Sequence, residues 1–527
     1  MRYVSVPELE LNEQTVLPES YGKNYSPQVE VSVDDSVILQ AEQTQTVHYN
    51  NQLLVMQPDT ASWAFLTDQE AQLLKDLEKP RAHSWLKQQW PSQNHLSSEY
   101  FVGELFRRGL LKLNGQSSVD HTIFQDSPNV EEGHLVELLI SEKCNLACRY
   151  CLAGANPKMQ HMSPETARRA IDLAYGMSET DSITFEFSGG EPFLRFDLMR
   201  QLVDYIHSHP VKGNRKAYVC VQSNATLLNQ ERVDWLKQNE IQIGLSFDGN
   251  PTSHNVSRPQ VNGKESFSSI LHGLDLLQTA EIEFGVLVVL NRSNINSAQE
   301  LIDFLLDNGI YSVKLNPVAF LGTAREAWEE VGLEQSDVIS YFQDFGQLLF
   351  QQKHTLVEAN LHDMLGHIMS KRRKSRCLRG YCGAGESFLA ITPNGDIYPC
   401  GRATQCSGLT IGNVDSGIQS LSEPGRTNQI ITDIKVRRPE TLDGCAQCAF
   451  RQQCQSGCSV QAYETYGTVQ HRTPECDFYK SMYPYLMDWI SSDPAVVEYL
   501  DSQCYFGDKP GIATLVNHEF LPELALC

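Results

Sequence analysis

Three cysteines stand close together in the segment SEKCNLACRYCLAG, residues 141–154, at Cys144, Cys148 and Cys151. Cysteines grouped in this way form a disulfide, bind zinc or hold a reactive metal centre. Their spacing, Cys-x3-Cys-x2-Cys, supplies one ligand fewer than a closed tetrahedral zinc site needs, although a fourth ligand from elsewhere in the chain would complete one. The choice among the three depends on the cellular compartment and on where the fold places this segment.

Composition and charge favour a cytosolic globular protein. The 527 residues include 42 Lys and Arg against 65 Asp and Glu, which argues against general binding to nucleic acids or anionic membranes and permits a basic peptide partner. The start, MRYVSVPELELNEQ, lacks the apolar core of a signal peptide, and VLVVL at 286–290 is far short of the ~20 apolar residues of a membrane span. In the cytosol, fifteen cysteines are expected to be metal ligands rather than disulfides.

Strand and helix patterns alternate six times between residue 134 and about residue 320. The strand HLVELLIS, 134–141, leads directly into the cysteine loop, and the next helix begins with Ser163 as N-cap and Pro164 in its first turn. Repeated βα units predict a parallel sheet, either an open doubly wound sheet or a barrel of six units. Both arrangements place chemistry at the carboxyl ends of the strands, where the Cys144 loop begins.

Polar or glycine-rich segments end the next three predicted strands. They are FSGGEP at 187–192, QSNAT at 222–226, and SFDG at 246–249 followed by HNVSR. Together with the three-cysteine loop, these segments resemble the radical S-adenosylmethionine (SAM) superfamily. The resemblance implies that Cys144, Cys148 and Cys151 hold three irons of a 4Fe–4S cluster whose fourth iron binds SAM, and that reductive cleavage of SAM yields a 5′-deoxyadenosyl radical.

The resemblance also implies residues that contact SAM. Glu191 would accept a hydrogen bond from the SAM ammonium group, and Arg258 would pair with its carboxylate. Glycines after the second strand would let the backbone approach the ligand closely. The expected cofactor-binding residues are Tyr150, Gly189, Gly190, Glu191, Ser223, Asn224, Ser246, Asp248 and Arg258.

A second cysteine-rich stretch lies between residues 377 and 476. Cys382 is followed after twelve residues by Gly395 and after four more by Cys400, and the pattern Cys-x2-Cys-x5-Cys-x3-Cys begins at Cys445. This order resembles the SPASM extension of radical SAM enzymes, which carries two auxiliary 4Fe–4S clusters. The resemblance implies one cluster on Cys377, Cys382, Cys400 and Cys458, and another on Cys445, Cys448, Cys454 and Cys476. A zinc ribbon at 445–458 is the alternative.

The other segments predict further units around this core. Residues 36–114 read as strand, strand, helix, helix, with a break at Asn50 and Asn51 and a capping box formed by Thr67 and Glu70. We therefore expect an α/β protein with an N-terminal α+β, winged-helix-like domain at 1–120, a partial (β/α)6 barrel radical SAM core at 134–325, a helical connector at 326–376, a SPASM auxiliary-cluster domain at 377–480 and a helical tail at 481–527.

Radical SAM enzymes of the SPASM type mostly modify peptides or proteins made by the ribosome. The resemblance therefore implies an oxidoreductase that forms C–C or thioether cross-links in a precursor peptide, with a reduced flavodoxin- or ferredoxin-type electron donor. The N-terminal unit resembles the peptide-recognition domain of such maturases, in which a leader peptide adds a strand to a sheet edge. A plain structural extension is the alternative for that unit.

One departure bears on the reaction. Sulfatase-maturing members carry an acid, which serves as base, directly after the cysteine that matches Cys400, whereas this chain has Gly401. Formylglycine formation is therefore the less favoured reaction, and a non-catalytic metal-cluster scaffold is a further alternative. Asp396 and His254 are candidates for the residue that takes the substrate proton. Neither has geometric support, so no catalytic residue is assigned. Four cysteines have no predicted ligand role: Cys220, expected in the core, and Cys406, Cys504 and Cys527.

Overall fold

The computed structural model describes residues 33–90, 97–118, 134–178, 180–351, 356–369, 382–416 and 429–492. The strands are β1 (Ile38–Ala41), β2 (Gln45–Tyr49), β3 (Gln52–Gln57), β4 (Ser62–Leu66), β5 (Arg81–Ala82), β6 (Leu111–Leu113), β7 (His134–Ser141), β8 (Ser182–Gly189), β9 (Lys216–Ser223), β10 (Gln242–Ser246), β11 (Phe284–Leu290), β12 (Ser312–Pro317), β13 (Val357–Glu358), β14 (Phe388–Ile391), β15 (Asp396–Tyr398) and β16 (Gly412–Asn413).

The α-helices are α1 (Asp68–Asp76), α2 (His83–Gln89), α3 (Ser98–Arg107), α4 (Pro164–Met177), α5 (Phe196–Ser208), α6 (Gln230–Gln238), α7 (Pro251–Ser257), α8 (Phe267–Thr279), α9 (Ala298–Asp307), α10 (Trp328–Val331), α11 (Gln335–Gln351), α12 (Ala359–Met369), α13 (Gln429–Val436), α14 (Arg451–Cys454), α15 (Ser459–Tyr466) and α16 (Cys476–Ser492). Within the described residues, no helix is both long and apolar enough to cross a lipid bilayer.

Six parallel strands, β7 to β12, form the middle of the largest sheet and lie side by side in chain order. A doubly wound sheet reverses its strand order, whereas a barrel keeps consecutive strands adjacent. The order therefore favours barrel-type winding over the doubly wound alternative. The sheet ends at β13 on one side and β16 on the other, so the six strands form a partial barrel.

The cysteine-rich region continues this sheet. Strand β14 pairs in parallel with β7, with Phe388 opposite Leu135 and Ile391 opposite Leu138, and β15 and β16 follow in antiparallel order. The sequence did not predict this pairing. It places the segments that carry Cys382 and Cys400 next to the strand that leads into the first cysteine loop.

Local signals account for several element boundaries. The Ser163 hydroxyl accepts a hydrogen bond from the amide of Thr166 at the start of α4, as predicted. In the central strands, one face packs into the main core, as in β8, where Phe185 and Phe187 are fully covered. Burying each such aromatic side chain contributes about 1.5–3 kcal/mol, so these strands stabilise the core that positions the loops at their ends.

The N-terminal unit is α+β, but it contains more strands than the sequence indicated. Strands β2, β3 and β4 form an antiparallel meander, and β1 lies between β5 and β6 in a second small sheet. Asn50 and Asn51 turn between β2 and β3 with positive φ, and Thr67 and Glu70 form the predicted capping box at α1. The additional strands are two to five residues long, too short for a clear alternation pattern.

The meander is fixed between two cores. Leu54 and Trp63 project into the main core, whereas Val55 and Leu66 project into the core of the N-terminal unit. This alternation is the usual consequence of the two-residue period of a strand. The meander also contacts the cysteine-rich region through an ion pair between Asp59 and Arg451.

Candidate functional site

The first cysteine loop lies at the carboxyl end of β7 and is held by segments that follow other strands. The amide of Ala147 donates to the carbonyl of Pro259 at 2.8 Å, in the segment after β10. The amide of Thr323, after β12, donates to the carbonyl of Cys151 at 3.1 Å. The loop therefore has a defined position over the mouth of the partial barrel.

Gly189 and Gly190 end β8 directly against this loop. The amide of Gly190 donates to the carbonyl of Ser141 at 2.6 Å. A Cβ at Gly189, where φ is +114°, would overlap that same carbonyl, and a Cβ at Gly190 would overlap the carbonyl of Lys143. Only glycine permits this close approach, so the two residues set the spacing between the loop and β8.

The Glu191 carboxylate is fully buried and accepts hydrogen bonds from the protein. One oxygen accepts from the hydroxyl of Ser223 at 2.9 Å and the amide of Phe193 at 3.1 Å, and the other accepts from the amide of Asn224 at 2.9 Å. Burial raises the pKa of Glu191 to about 7, although these hydrogen bonds oppose the shift. The geometry does not favour the predicted contact with a SAM ammonium group, because this carboxylate ties the end of β9 to the glycine turn.

Asp248 is also directed into the protein. Its carboxylate accepts a hydrogen bond from the hydroxyl of Tyr150 and forms an ion pair with Arg258, with 3.0 Å between Nε and Oδ2. The guanidinium of Arg258 lies 5.3 Å from the centre of the Tyr150 ring, within the range of a cation–π contact. The predicted pairing of Arg258 with a SAM carboxylate therefore meets an existing ion pair, and Asp248 positions Tyr150 and Arg258 instead of facing a ligand.

Asn224 and Ser246 reach the space in front of the loop. The side-chain amide of Asn224 donates to Asn145 Oδ1 at 3.0 Å and lies 3.7 Å from the sulfur of Cys144. Ser246 accepts a hydrogen bond from Gln222 at 3.1 Å. Both residues remain candidates for direct ligand contact.

The three thiols of the first loop act electrostatically on one another. Burial raises the pKa of Cys144 to about 12, and the thiol of Cys151 adds to that shift. Burial also raises the pKa of Cys148, again with a contribution from the other two thiols. Thiolates at such a site repel one another until a cationic centre compensates their charge, so this donor set fits a metal cluster.

The later cysteines form two groups. In one, the thiols of Cys458 and Cys382 add to the upward pKa shift that burial gives Cys400. In the other, a single thiol, that of Cys454, is influenced by three more cysteines, Cys445, Cys448 and Cys476. These influences are compatible with the two ligand sets that the sequence resemblance implies, which stay a prediction, and Cys377 lies outside the described residues.

No group of three or more His, Cys, Asp or Glu side chains in the described ranges is arranged to hold a single metal ion. This arrangement is compatible with clusters, because each thiolate of a 4Fe–4S centre binds a different iron and the sulfurs do not converge on one point. The metal content of these sites stays a prediction.

One cavity of about 1020 Å³ connects the first cysteine loop with the group of Cys382, Cys400 and Cys458. Strands of the partial barrel line its interior with polar side chains, among them Lys314 and Asn316 of β12. The sequence-predicted residues in its wall are Tyr150, Gly189, Gly190, Ser223, Asn224, Ser246 and Arg258. The cavity is large enough for SAM together with part of a second molecule.

Two carboxylates in this cavity were missed by the sequence interpretation. Glu137 of β7 and Glu186 of β8 lie directly opposite each other in the sheet, and both line the cavity. The hydroxyl of Ser188 donates to Glu137 Oε1 at 2.5 Å, and a Cβ at Gly401 would overlap Glu137 Oε2. Burial raises the pKa of Glu137. A charged residue inside a predicted buried strand was the available signal.

His254 and Asp396, which the sequence analysis left unassigned, lie away from this cavity. His254 is fully buried, contacts Ser266 Oγ at 3.1 Å, and burial lowers its pKa to about 4. Asp396 accepts from the side chain of Asn413 at 2.8 Å. Neither residue lines the cavity. Cys220 is buried in β9, as expected.

Comparison with known proteins agrees with this geometry. The model of the radical SAM superfamily matches residues 138–305. An uncharacterized protein of Methanocaldococcus jannaschii is 33% identical over 268 residues, which cover 51% of this chain and 84% of the relative. The chain belongs to the radical SAM superfamily. It is therefore an enzyme, and the non-catalytic scaffold is excluded; membership also implies a 4Fe–4S cluster and SAM.

Further similarities extend beyond the radical SAM core. A cysteine-type anaerobic sulfatase-maturating enzyme of Clostridium novyi is 22% identical over 354 residues, covering 65% of this chain and 92% of that enzyme. The solved structure of native anSMEcpe with bound AdoMet and Kp18Cys peptide has a TM-score of 0.60 at 19% identity, and the match covers 70% of this chain and 99% of that one. This likeness shows that the two chains share a fold.

Proposed function

We propose that this radical SAM enzyme modifies side chains of a ribosomally made peptide or protein, by C–C or thioether cross-linking. The observation that carries the proposal is the single cavity between the first cysteine loop and the group of Cys382, Cys400 and Cys458. A substrate side chain in that cavity would lie between a radical source and an electron acceptor. The peptide bound in the structure of anSMEcpe supports a peptide as the class of substrate.

Cys144, Cys148 and Cys151 would hold the cluster that binds SAM. When bound, the cluster and SAM would supply the 5′-deoxyadenosyl radical for removal of a hydrogen atom from the substrate. Gly189 and Gly190 would bring backbone close to SAM, and Ser223, Asn224 and Ser246 would offer polar contacts. Tyr150 and Arg258 would form the opposite wall, while Glu191 and Asp248 hold these residues in place.

The later cysteines would hold two auxiliary 4Fe–4S clusters, with Cys377 completing the set of Cys382, Cys400 and Cys458. The second set consists of Cys445, Cys448, Cys454 and Cys476. Four cysteine ligands leave no iron open, which suits electron transfer rather than substrate binding. A reduced flavodoxin- or ferredoxin-type protein would supply the electron for SAM cleavage.

Glu137 is the residue that we propose as proton acceptor. In a two-electron oxidation of a substrate carbon, one hydrogen atom would pass to the radical, one electron to an auxiliary cluster and one proton to a nearby base. The Oε2 atom of Glu137 lies at the cavity wall beside Gly401, and Glu186 stands next to it in the sheet. A desolvated carboxylate with a raised pKa is a suitable general base.

Formylglycine formation is a second candidate reaction, and the same observation favours it. The sequence argued against it because Gly401 replaces the acid that sulfatase-maturing members carry after the matching cysteine. In the structure, the Glu137 carboxylate fills the space of a side chain at that position. The absence of an acid at 401 therefore no longer separates the two reactions.

The N-terminal unit would bind the unmodified leader part of the substrate. Strand β2 forms one edge of the meander, and its residues are half-buried or exposed. An extended peptide can pair with such an edge through main-chain hydrogen bonds. The contacts of the meander with the main core would keep this edge at a fixed distance from the cavity.

The first test is anaerobic reconstitution followed by measurement of iron and SAM cleavage. Three 4Fe–4S clusters correspond to about twelve irons per chain, and dithionite reduction should then release 5′-deoxyadenosine from SAM. The reaction is identified by coexpressing the enzyme with each short reading frame next to its gene and measuring peptide masses. A loss of two hydrogens supports cross-linking, and conversion of Cys or Ser to formylglycine supports the second candidate. Bound zinc without SAM cleavage would overturn both.

A further inference from the structure

Arg437, which follows α13, is a buried cation in the cysteine-rich region. It is 1% exposed, and its guanidinium donates to four main-chain carbonyls. The acceptors are Val469 at 3.0 Å, Gly457 at 2.8 Å, Ser456 at 2.7 Å and His471 at 2.8 Å. Among the described residues, no carboxylate lies within ion-pair distance of this guanidinium. Its charge is therefore balanced mainly by carbonyl dipoles and by neighbouring sulfur.

The sulfur atoms that act on Arg437 belong to both later cysteine groups. Burial lowers the pKa of Arg437, and the thiols of Cys458 and Cys382 from one group and of Cys445 and Cys454 from the other oppose this shift. Arginine stays protonated in proteins even when its pKa falls. One fixed positive charge thus acts on two separate groups of metal ligands.

Two of the four carbonyls that Arg437 binds, those of Ser456 and Gly457, lie in an unusual turn. Residues 455, 456 and 457 all have left-handed backbone, with φ of 52°, 69° and 64°, although only the third is glycine. Consecutive left-handed residues with side chains are unfavourable unless surrounding contacts hold them. Cys454 and Cys458, at the two ends of this turn, point to different cysteine groups.

Arg437 also ties this turn to the segment before Cys476. The acceptors on that side are the main-chain carbonyls of Val469 and His471. The amide of Thr473 donates to the carbonyl of Ser456 at 3.0 Å and reinforces the same connection. The guanidinium thus joins the backbone segments that present Cys454, Cys458 and Cys476.

We propose that Arg437 is a positioning residue shared by the two auxiliary clusters. It holds the 455–457 turn so that Cys454 and Cys458 serve different clusters, and its charge raises the reduction potential of both. The inference rests on the proposed auxiliary clusters. A reduced cluster carries one more negative charge than an oxidised one, so a nearby fixed cation stabilises the reduced form.

The experiment uses the full-length chain with Cys144, Cys148 and Cys151 all replaced by alanine, so that only auxiliary clusters contribute. After anaerobic reconstitution, iron content and the reduction potentials of both clusters are measured by EPR-monitored titration, with and without Arg437→Gln. About eight irons are expected without the Arg437 change, from two 4Fe–4S clusters. With the change, both potentials should move to more negative values.

Arg438→Gln is the matched control, because it removes the same charge one residue away. In the described part of the chain, the Arg438 guanidinium donates to the carbonyls of Lys435 and Arg437.

The outcomes separate this inference from the proposed function. If the background protein binds no iron at its later cysteines, the auxiliary clusters of the proposed function are refuted. If it binds about eight irons, as two 4Fe–4S clusters require, and Arg437→Gln leaves both potentials unchanged or shifts only one, the shared role of Arg437 is overturned.

A second variant covers the case in which Arg437→Gln does not fold. Arg437→Lys keeps the charge but cannot reproduce the fork that reaches four carbonyls. We expect a lower iron content, with native potentials in the clusters that form. Full iron content with shifted potentials would contradict both the clamping and the electrostatic role.

Discussion

The Glu137 carboxylate shows how a residue from one strand can take the place of a missing side chain elsewhere. Gly401 leaves room beside Cys400, and Glu137 of β7 fills that room from the neighbouring strand. Its hydrogen bond from Ser188 fixes one oxygen and leaves the other toward Gly401. The chemistry available at this point of the cavity therefore depends on two positions that are far apart in the sequence.

Replacement of Glu137 by Gln should separate radical formation from product formation. The amide keeps the shape and can still contact Ser188, but it cannot accept a proton. We expect unchanged iron content and SAM cleavage, with product formation reduced by about 100-fold or more, in line with the usual contribution of a general base. The measurement is the ratio of 5′-deoxyadenosine to modified peptide.

Glu358→Gln is the matched control for this prediction. Glu358 is a second carboxylate whose pKa burial raises, to about 7, but it is fully buried, accepts from the amides of Leu315 and Leu361 and does not line the cavity. Modified peptide at the wild-type rate in Glu137→Gln would show that another group takes the proton.

At the scale of elements, the position of the first cysteine loop depends on turns contributed by other strands. Gly322, after β12, lies so close to the loop that a Cβ there would overlap the carbonyl of Cys151. The neighbouring Thr323 donates to the same carbonyl. The segment that follows β12 therefore helps to set the position of the first cysteine loop.

Gly322→Ala should weaken the first cluster selectively. Gly322 has a φ of +52°, so alanine there meets both an unfavourable backbone conformation and a steric overlap with the loop. We expect at least about a tenfold loss of SAM cleavage, as the ligands of the first cluster move apart, with auxiliary iron retained. Gly263→Ala is the control, since φ there is +77° with open space around the Cβ. Equal effects of the two substitutions would mean that backbone strain, not the overlap, is responsible.

Elements with local signals could be predicted from the sequence, and contacts between distant segments could not. The Ser163 cap, the Thr67 capping box and the turn at Asn50 depend on residues within a few positions of one another. The pairing of β14 with β7 joins segments about 250 residues apart, and nothing in the local pattern specifies it.

The same limit explains what was missed at the site. Cysteine spacing is a local property, so the first cysteine loop could be recognised from the sequence, whereas the two later ligand sets were implied only by the family resemblance. The hydrogen-bond partners of the Glu191 carboxylate could not be predicted, because they include the amide of Asn224 at the end of β9. The position of Glu137 beside Gly401 likewise depends on how two distant strands align.

At the scale of the molecule, we expect the cysteine-rich region to depend on bound metal more than the parallel sheet does. The apolar cluster around Cys382, Cys400 and Cys458 is small and includes these predicted ligands, and only part of the region, such as Ile391 and Phe450, reaches the large main core that β7 to β12 share. Segments that lack a large core gain much of their folding free energy from metal binding.

Removal of iron should therefore expose the cysteine-rich region first. After anaerobic chelation, limited proteolysis read by mass spectrometry should show new cleavage between residues 382 and 476, while residues 182–317 stay protected. The control is the reconstituted protein under the same protease. Cleavage that begins in the parallel sheet, or no change in either region, would contradict this order of stability.

The pairing of β14 with β7 also has a consequence for biosynthesis. A chain synthesised from its N-terminus completes β7 to β12 before residues 388–391 have left the ribosome. The β7 edge of this apolar parallel sheet therefore stays unpaired until β14 is available. That edge has the sequence LVEL, which favours pairing with other chains. We therefore expect incomplete chains to associate through this edge until β14 pairs with it.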